Sequence, residues 1–324
     1  MEKESVVHRI LEYFGIKTPT NISVGGGTGS PKYLFTYSGK RYLLKKRRKE
    51  FTPVQVLLFD LSVIRYLSKN GLPVVVPSYS MEAEYELSEY IENLNTFSQG
   101  NREQMEHAAE TLGKMHRILK DFVPEGKKNW KREFMSSEIK TELLKTINKH
   151  PKIFYKQETV SKCIELLDTL IESFSVKNLT HSITHGDYTS ANIKFKNNIV
   201  GGIFDFDWAS YQNTLYDISR GLVYFCFERR QELDGNNIWS LVQPCKIDIK
   251  KIKQFISSYK KEFIFTQADA EALPSAIKEF FIGSRVRAMR KVEGTDKVRM
   301  LDKKLLDMVE AVEQEKVAII EACK

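Results

Sequence analysis

Apolar residues open the chain at helical spacing: Val6, Val7, Ile10, Leu11 and Phe14 share one face, and Gly15 ends the pattern. The period then changes to that of strands. A strand-like stretch around Asn21–Val24 leads into Gly25-Gly26-Gly27-Thr28-Gly29-Ser30. Beyond it, Lys32–Tyr37 and Arg41–Lys45 flank Ser38-Gly39-Lys40, which reads as a hairpin. Helical spacing returns over Val54–Leu67 and stops at Asn70-Gly71, and two more strand signals follow, Val74–Val76 and Tyr85–Ile91. From about residue 100 helical patterns dominate: Arg102–Leu119, Ser161–Phe174, Leu215–Phe227, Ile249–Phe263 and much of 267–322, interrupted by one short strand pair near 183–206. The interval 121–160 is polar and poorly periodic. These patterns predict an α+β protein. Residues 1–92 form a small antiparallel sheet lobe with one inserted helix, and residues 93–324 a larger, mostly helical lobe.

Composition narrows the class. A chain of 324 residues with 42% hydrophobic and 28% charged residues is an ordinary globular protein, long enough to bury a core without metal or disulfide. No apolar run approaches the roughly 18 residues of a membrane span, and Met1-Glu-Lys-Glu-Ser5 lacks a signal-peptide layout. Cys163, Cys226, Cys245 and Cys323 are far apart and form no Cys-x-x-Cys pair, which points to a reducing compartment, the cytoplasm. The net charge of +8 favours anionic partners but is spread along the chain. Its one dense run, Lys45-Lys46-Arg47-Arg48-Lys49, reads as a strand end and solvated loop rather than a nucleic-acid patch. Neither a membrane nor a nucleic-acid partner is expected.

The most informative segment is His185-Gly186-Asp187-Tyr188-Thr189-Ser190-Ala191-Asn192, followed by a hairpin about Asn197-Asn198 and by Phe204-Asp205-Phe206-Asp207. Asp187 and Asn192 lie on one loop without helical or strand period, so both can point into one space. In simple register Lys196 faces Ile199 and Asn192 lands near Ile203; a bulge at Gly201-Gly202 is expected to bring Asp205 opposite Asn192. One amide oxygen and one carboxylate are hard ligands that suit Mg²⁺, whose octahedron is completed by water and phosphates. Asp187 is placed to accept the proton of an attacking hydroxyl.

His185-Gly186-Asp187-x4-Asn192 with Phe204–Asp207 resembles the aminoglycoside phosphotransferase, choline kinase and homoserine kinase superfamily, which has a protein-kinase-like fold. Tyr216-Asp217 and Leu112-Gly-Lys-Met-His116 extend the likeness. The resemblance implies ATP-dependent phosphorylation of a small-molecule hydroxyl, with Mg²⁺. It implies Asp187 as catalytic base, Asn192 and Asp205 as metal ligands, His185 as a brace of the loop, and Asp217 as a buried support beneath it. Asp207 stands where a protein kinase has glycine.

The N-terminal half is read in the same light. Gly25–Gly29 lacks the Gly-Lys-Ser/Thr of a P-loop and is followed by strand, so no helix N-terminus receives phosphate there. Backbone amides of Gly25, Gly26, Gly27, Thr28 and Gly29 covering the phosphates is the kinase alternative, against a merely flexible hairpin. Tyr42-Leu-Leu-Lys45 is similar to the family's Tyr-Val-Leu-Lys, which makes Lys45 the phosphate lysine; Lys46 faces the opposite side of the strand, so only one of the two can serve. The position of the lysine's helical glutamate partner falls on Asp60, a departure. Glu89-Tyr90-Ile91-Glu92 resembles the hinge whose backbone binds adenine. Asp207, Trp208, Tyr211, Arg285 and Arg287 are candidates to line the acceptor pocket, and the acceptor itself stays open among amino alcohols, amino acids, sugars and aminoglycoside-like antibiotics. A catalytically silent assembly protein of spore-coat type and a basic nucleic-acid binder are the competing readings.

Overall fold

The computed structural model describes residues 2–25, 31–80, 84–128, 135–175, 178–234 and 237–324. Gly26, Gly27, Thr28 and Gly29 of the glycine-rich segment lie outside the described residues. The sheet lobe opens with α1 (Glu2–Tyr13) and continues through β1 (Thr20–Gly25), β2 (Lys32–Tyr37) and β3 (Lys40–Lys46) to α2 (Val54–Lys69), β4 (Ser78–Tyr79) and β5 (Tyr85–Glu89). The five strands order as β1-β2-β3-β5-β4, all neighbours antiparallel. The β2–β3 hairpin turns through Ser38 and Gly39, both at positive φ (49° and 76°), the backbone of the tight turn that matches strand twist. The strand expected at Val74–Val76 is absent as such. Pro73 and Pro77 bracket it, Val74 makes only an isolated bridge to Ile203, and the strand proper is β4.

Two cores divide the protein. Val7, Leu11, Ile16, Phe35 and Leu44 pack α1 against the sheet. Phe59, Val63, Ile64 and Leu67 of α2 instead join the large core of the helical lobe. The helix inserted in the sheet's sequence therefore belongs, by packing, with its neighbour lobe, and this decides where its charged residues point.

In the helical lobe α3 (Arg102–Leu119) buries Met105, Ala108, Ala109, Leu112, Met115, His116 and Leu119, the i, i+3, i+4 stripe of an amphipathic helix, and is capped by Asn101. The polar, poorly periodic interval 121–160 contains α4 (Ser136–Lys149) and the short α5 (Pro151–Phe154). Then come α6 (Glu158–Ser175), α7 (Leu215–Phe225), α8 (Ile238–Leu241), α9 (Ile249–Lys260), α10 (Gln267–Ala288), α11 (Asp296–Arg299), α12 (Lys303–Gln314) and α13 (Lys316–Cys323). Helix α10 is buried on most of its faces and starts at a Thr266–Asp269 capping box. Asp269 also accepts from the Thr180 amide at 2.9 Å, tying that helix to the strand segment before the site.

Where one strand pair was expected there are two. The hairpin of β7 (Ile193–Lys196) and β8 (Ile199–Ile203) is one, and β6 (His181–Thr184) with β9 (Ser210–Asn213) is the other. Thr184 pairs with Ser210, so the whole excursion 185–209 leaves and returns at one point. Among the described residues no helix is long and apolar enough to cross a membrane.

Candidate active site

The loop after β6 is held from below. Asp217, at the start of α7 and fully buried, accepts from the His185 amide at 2.6 Å and the Gly186 amide at 2.9 Å, with His116 Nε2 3.4 Å away. The Tyr259 hydroxyl lies 2.8 Å from His116 Nδ1, and an Asp217 carboxylate, which only accepts, calls for the proton on the Nε2 that faces it. Burial pushes the Asp217 carboxyl up, but His116 and the loop amides more than offset this and its pKa lies below the ordinary value. Gly186 has φ +79°, and a Cβ there would stand 2.1 Å from the Trp208 carbonyl oxygen. Only glycine fits. His185 bridges the excursion: Nε2 donates to the Phe204 carbonyl at 3.0 Å, and Nδ1 accepts from the Asp187 amide at 3.2 Å. His185 thus positions the loop.

Asp187 leaves this frame with its side chain about a third exposed. The Asn192 amide nitrogen donates to the Asp187 carboxylate and to its carbonyl, each at 2.9 Å, leaving the Asn192 amide oxygen as the hard donor on the other side. Lys196 faces Ile199 as expected, and the β7–β8 ladder bulges at Gly201. The offset is one residue smaller than expected: Asn192 accepts from the Phe204 amide at 3.0 Å, not from Asp205. A bulge supplies a single extra residue. Asp205 is aimed instead by its own left-handed backbone, φ 66° and ψ 66°, a conformation tolerated by Asp better than by bulkier residues.

Between the lobes lies a cleft of about 420 Å³, lined among others by Lys45, Glu89, Tyr90, Ile91, Asn192 and Asp205. Lys45 crosses it. Its ammonium stands 2.8 Å from Asp207, 3.2 Å from Asp205 and 3.4 Å from Glu86. Burial opposes the Lys45 charge, but these three carboxylates hold its pKa well above the usual value. Asp205 is pushed up by burial and pulled further down by Lys45, ending below the usual carboxylate range. Lys46 is exposed on the opposite side, over the Tyr85 ring at 5.7 Å. The Tyr90 amide donates to the Arg41 carbonyl at 2.9 Å, which fixes the segment after β5 along the cleft.

Asp60 is not the partner of Lys45. It accepts from Arg47 Nη2 at 2.9 Å and is ion-paired with Lys128. Burial pushes the Asp60 carboxyl up to about 7 against the pull of these cations. The cause is packing: α2 sits in the helical lobe's core, and the segment Glu125–Lys128 docks on it through the Ser62 hydroxyl and the Gln55 carbonyl. Lys128 also donates to the Asp207 carbonyl at 2.8 Å. The basic run is likewise only partly solvated. Lys45 and Arg47 are buried on one face, and Lys46, Arg48 and Lys49 are exposed.

The acceptor candidates separate. Asp207 is in the cleft on Lys45. Trp208 stands edge-on to Phe51 and beneath Arg48, packed beside the loop. Tyr211 is exposed on β9 and stacks on His181. Arg285 is buried with Asp302 and Cys245 as its electrostatic neighbours, in a different part of the lobe. Only Arg287 of the two arginines shares surroundings with Asp187, since both act on Tyr216 and Tyr224. Period-based reading missed Glu86, Lys128, Arg47 and Arg220. The guanidinium of Arg220 is buried 3.9 Å from Asp187 and lies 4.2 Å over the Tyr216 ring. For Arg47 a signal existed: the alternation that separates Lys46 from Lys45 returns residue 47 to Lys45's face.

A divalent cation fits these residues on two grounds: three carboxylates meet the single Lys45 ammonium, and Asn192 and Asp205 line the same cleft. The described residues contain no group of three or more His, Cys, Asp or Glu placed to hold a metal by themselves; Mg²⁺ ordinarily relies on one or two carboxylates plus substrate phosphates.

Comparison with known proteins agrees with this geometry. Residues 21–238 match the family described as "Phosphotransferase enzyme family". A homoserine kinase of Zymomonas mobilis is 25% identical over 230 residues, covering 67% of this chain and 68% of the relative. Among solved structures, an amicoumacin kinase in complex with AMP-PNP and Ca²⁺ superposes with a TM-score of 0.64 at 16% identity, over 99% of this chain and 96% of the other. A choline kinase of Streptococcus pneumoniae superposes at 0.63 and 12% identity, over 97% and 100%. The sheet lobe, the helical lobe and the loop between β6 and β9 together carry a protein-kinase-like fold, and the chain belongs to the phosphotransferase enzyme family.

Proposed function

We propose that the protein transfers the γ-phosphoryl group of ATP to a hydroxyl of a small molecule. The observation that carries this reading is the bridge of Lys45 from β3 to Asp205 at 3.2 Å, beside an Asp187 oriented by Asn192 at 2.9 Å. Nucleotide enters the cleft with adenine against the backbone of Glu89, Tyr90 and Ile91. Lys45 holds phosphate oxygens. Asn192 and Asp205 would hold Mg²⁺, which would neutralise phosphate charge. Asp187 takes the proton of the acceptor hydroxyl. The O–H bond breaks as the new O–P bond forms, the bond to the β-phosphate oxygen breaks, and ADP leaves. Positioning and charge neutralisation supply the rate enhancement.

Arg220 and Arg287 share Tyr216 and Tyr224 with Asp187. Arg220 is 3.9 Å from Asp187. Such surroundings repel polycations and favour an acceptor that bears an anionic group, such as an amino acid with a side-chain hydroxyl. The homoserine kinase relative supports the same class. The test is ADP release with Mg·ATP over a panel of hydroxyl amino acids, amino alcohols, sugars and aminoglycosides. Stimulation by a hydroxyl amino acid that is lost in Asp187→Asn supports the reading; stimulation by aminoglycosides alone removes the acceptor class.

A further inference from the structure

We propose that Glu86 on β5, and not a carboxylate on α2, is the residue that positions Lys45 for the nucleotide phosphates. The proposal rests on the assignment of Lys45 to the phosphates made above. Three carboxylates meet the Lys45 ammonium, Asp207 and Asp205 as hydrogen-bonded ion pairs and Glu86 as an ion pair at 3.4 Å. When phosphate enters, one or more of these contacts is given up. Asp205 is the carboxylate the cation needs, and Asp207 is attached to the same turn of the helical lobe. Glu86 has no such second task. It faces Lys45 directly across the β3–β5 ladder, one residue opposite the other, so it travels with the lysine whatever the helical lobe does.

The alternative partner is fully engaged elsewhere. Asp60 takes Arg47 on one oxygen and Lys128 on the other, and makes no ion pair with Lys45. Arg47, just past the end of β3 and two residues on from Lys45, reaches Glu86 with Nε at 3.9 Å and Asp60 with Nη2 at 2.9 Å. The guanidinium spaces the two acids apart and shields each from the other. Glu86 keeps Lys45 extended into the cleft, while Asp60 ties α2 to Lys128. Burial raises the Glu86 pKa, and the neighbouring Lys45 and Arg47 oppose that shift.

The experiment compares ATP affinity, kcat and thermal stability for Glu86→Gln, Glu86→Asp, Asp60→Asn and Lys45→Met in the full chain. Glu86→Gln weakens ATP binding by roughly tenfold, the scale of one charge-assisted contact, with a smaller change in kcat. In the Lys45→Met background the same substitution adds no further loss, because the lysine it served is gone. Asp60→Asn shows the opposite split: a lower melting temperature and ATP affinity within about twofold of the parent. Where Glu86→Gln does not fold, Glu86→Asp decides, with a partial loss expected from a carboxylate drawn back by one methylene. ATP affinity unchanged in the Glu86 variants while Lys45→Met loses it overturns the proposal and leaves the phosphate role of Lys45 standing. ATP affinity unchanged in Lys45→Met overturns that role, and the Glu86 proposal with it. Loss in Asp60→Asn equal to that in Glu86→Gln returns the function to α2.

Discussion

Asp217→Asn keeps the volume of a side chain that touches no substrate and removes its charge. In the native protein its oxygens take two backbone amides, His185 at 2.6 Å and Gly186 at 2.9 Å, and face His116 Nε2 at 3.4 Å, all out of contact with water. Asparagine offers one oxygen to these donors and turns its own NH₂ on another. Two charge-assisted bonds to a carboxylate contribute about 1.5–3 kcal/mol each, and breaking a buried charged arrangement from one side costs about 3–5 kcal/mol. The expected loss of stability is therefore about 3–5 kcal/mol. Both amides belong to the residues just before Asp187, so the base shifts with them, and kcat falls by roughly 10²-fold, as for a displacement on the ångström scale. ATP affinity stays within about threefold, because Lys45 and the cleft segment after β5 are not attached to this frame. The pH dependence has a definite sign. A carboxyl whose folded pKa is depressed contributes stability that is complete above its unfolded value, about 3.9, and lost as pH falls through the folded value. The difference between parent and variant is thus flat from about pH 5 to 8 and shrinks only in acid. Urea unfolding followed by tryptophan fluorescence, with kcat at saturating ATP, measures both effects. A loss below about 1 kcal/mol with unchanged kcat refutes the supporting role of Asp217.

Three further outcomes are expected. Asp187→Asn lowers kcat by at least about 10²-fold and leaves ATP affinity nearly intact; more than a tenth of parental turnover on the true acceptor removes it from the base role. Lys45→Met weakens ATP binding or turnover by at least about tenfold, whereas Lys46→Met, of equal net charge, changes little. Parallel losses in both would mark a general electrostatic effect. Asp205→Ala abolishes the Mg²⁺ dependence of ATP binding, as calorimetry with and without the ion will read; a variant still sensitive to Mg²⁺ speaks for another ligand set.

Much of the architecture was legible because it rests on local period. The alternation of Lys32–Tyr37 and Arg41–Lys45, the turn at Ser38-Gly39 and the stripe of α3 all appear as read. The bulge at Gly201 was legible too, since glycines in a strand invite one, but the number of residues it inserts was not. What stayed hidden depends on contacts distant in sequence. The pairing of Lys45 with Glu86 exists only once β3 and β5 are neighbours, and the pairing of Asp60 with Lys128 only once α2 is packed in the other lobe's core. Arg285 and Arg287 show the limit from another side. On a helix buried on most faces, two positions apart suffice to send one arginine toward Cys245 and the other toward Tyr216, and helical periodicity alone does not say which neighbour each face meets.

The central claim is transfer of a phosphoryl group to a hydroxyl, and mass spectrometry of the acceptor after incubation with ATP labelled by ¹⁸O on its γ-phosphoryl oxygens tests it most directly. The account predicts a phosphorylated acceptor that carries the label and keeps its own hydroxyl oxygen, formed only with Mg²⁺ and not by Asp187→Asn. Labelled inorganic phosphate with no labelled acceptor across the panel, or product formation undiminished without Mg²⁺, would contradict it.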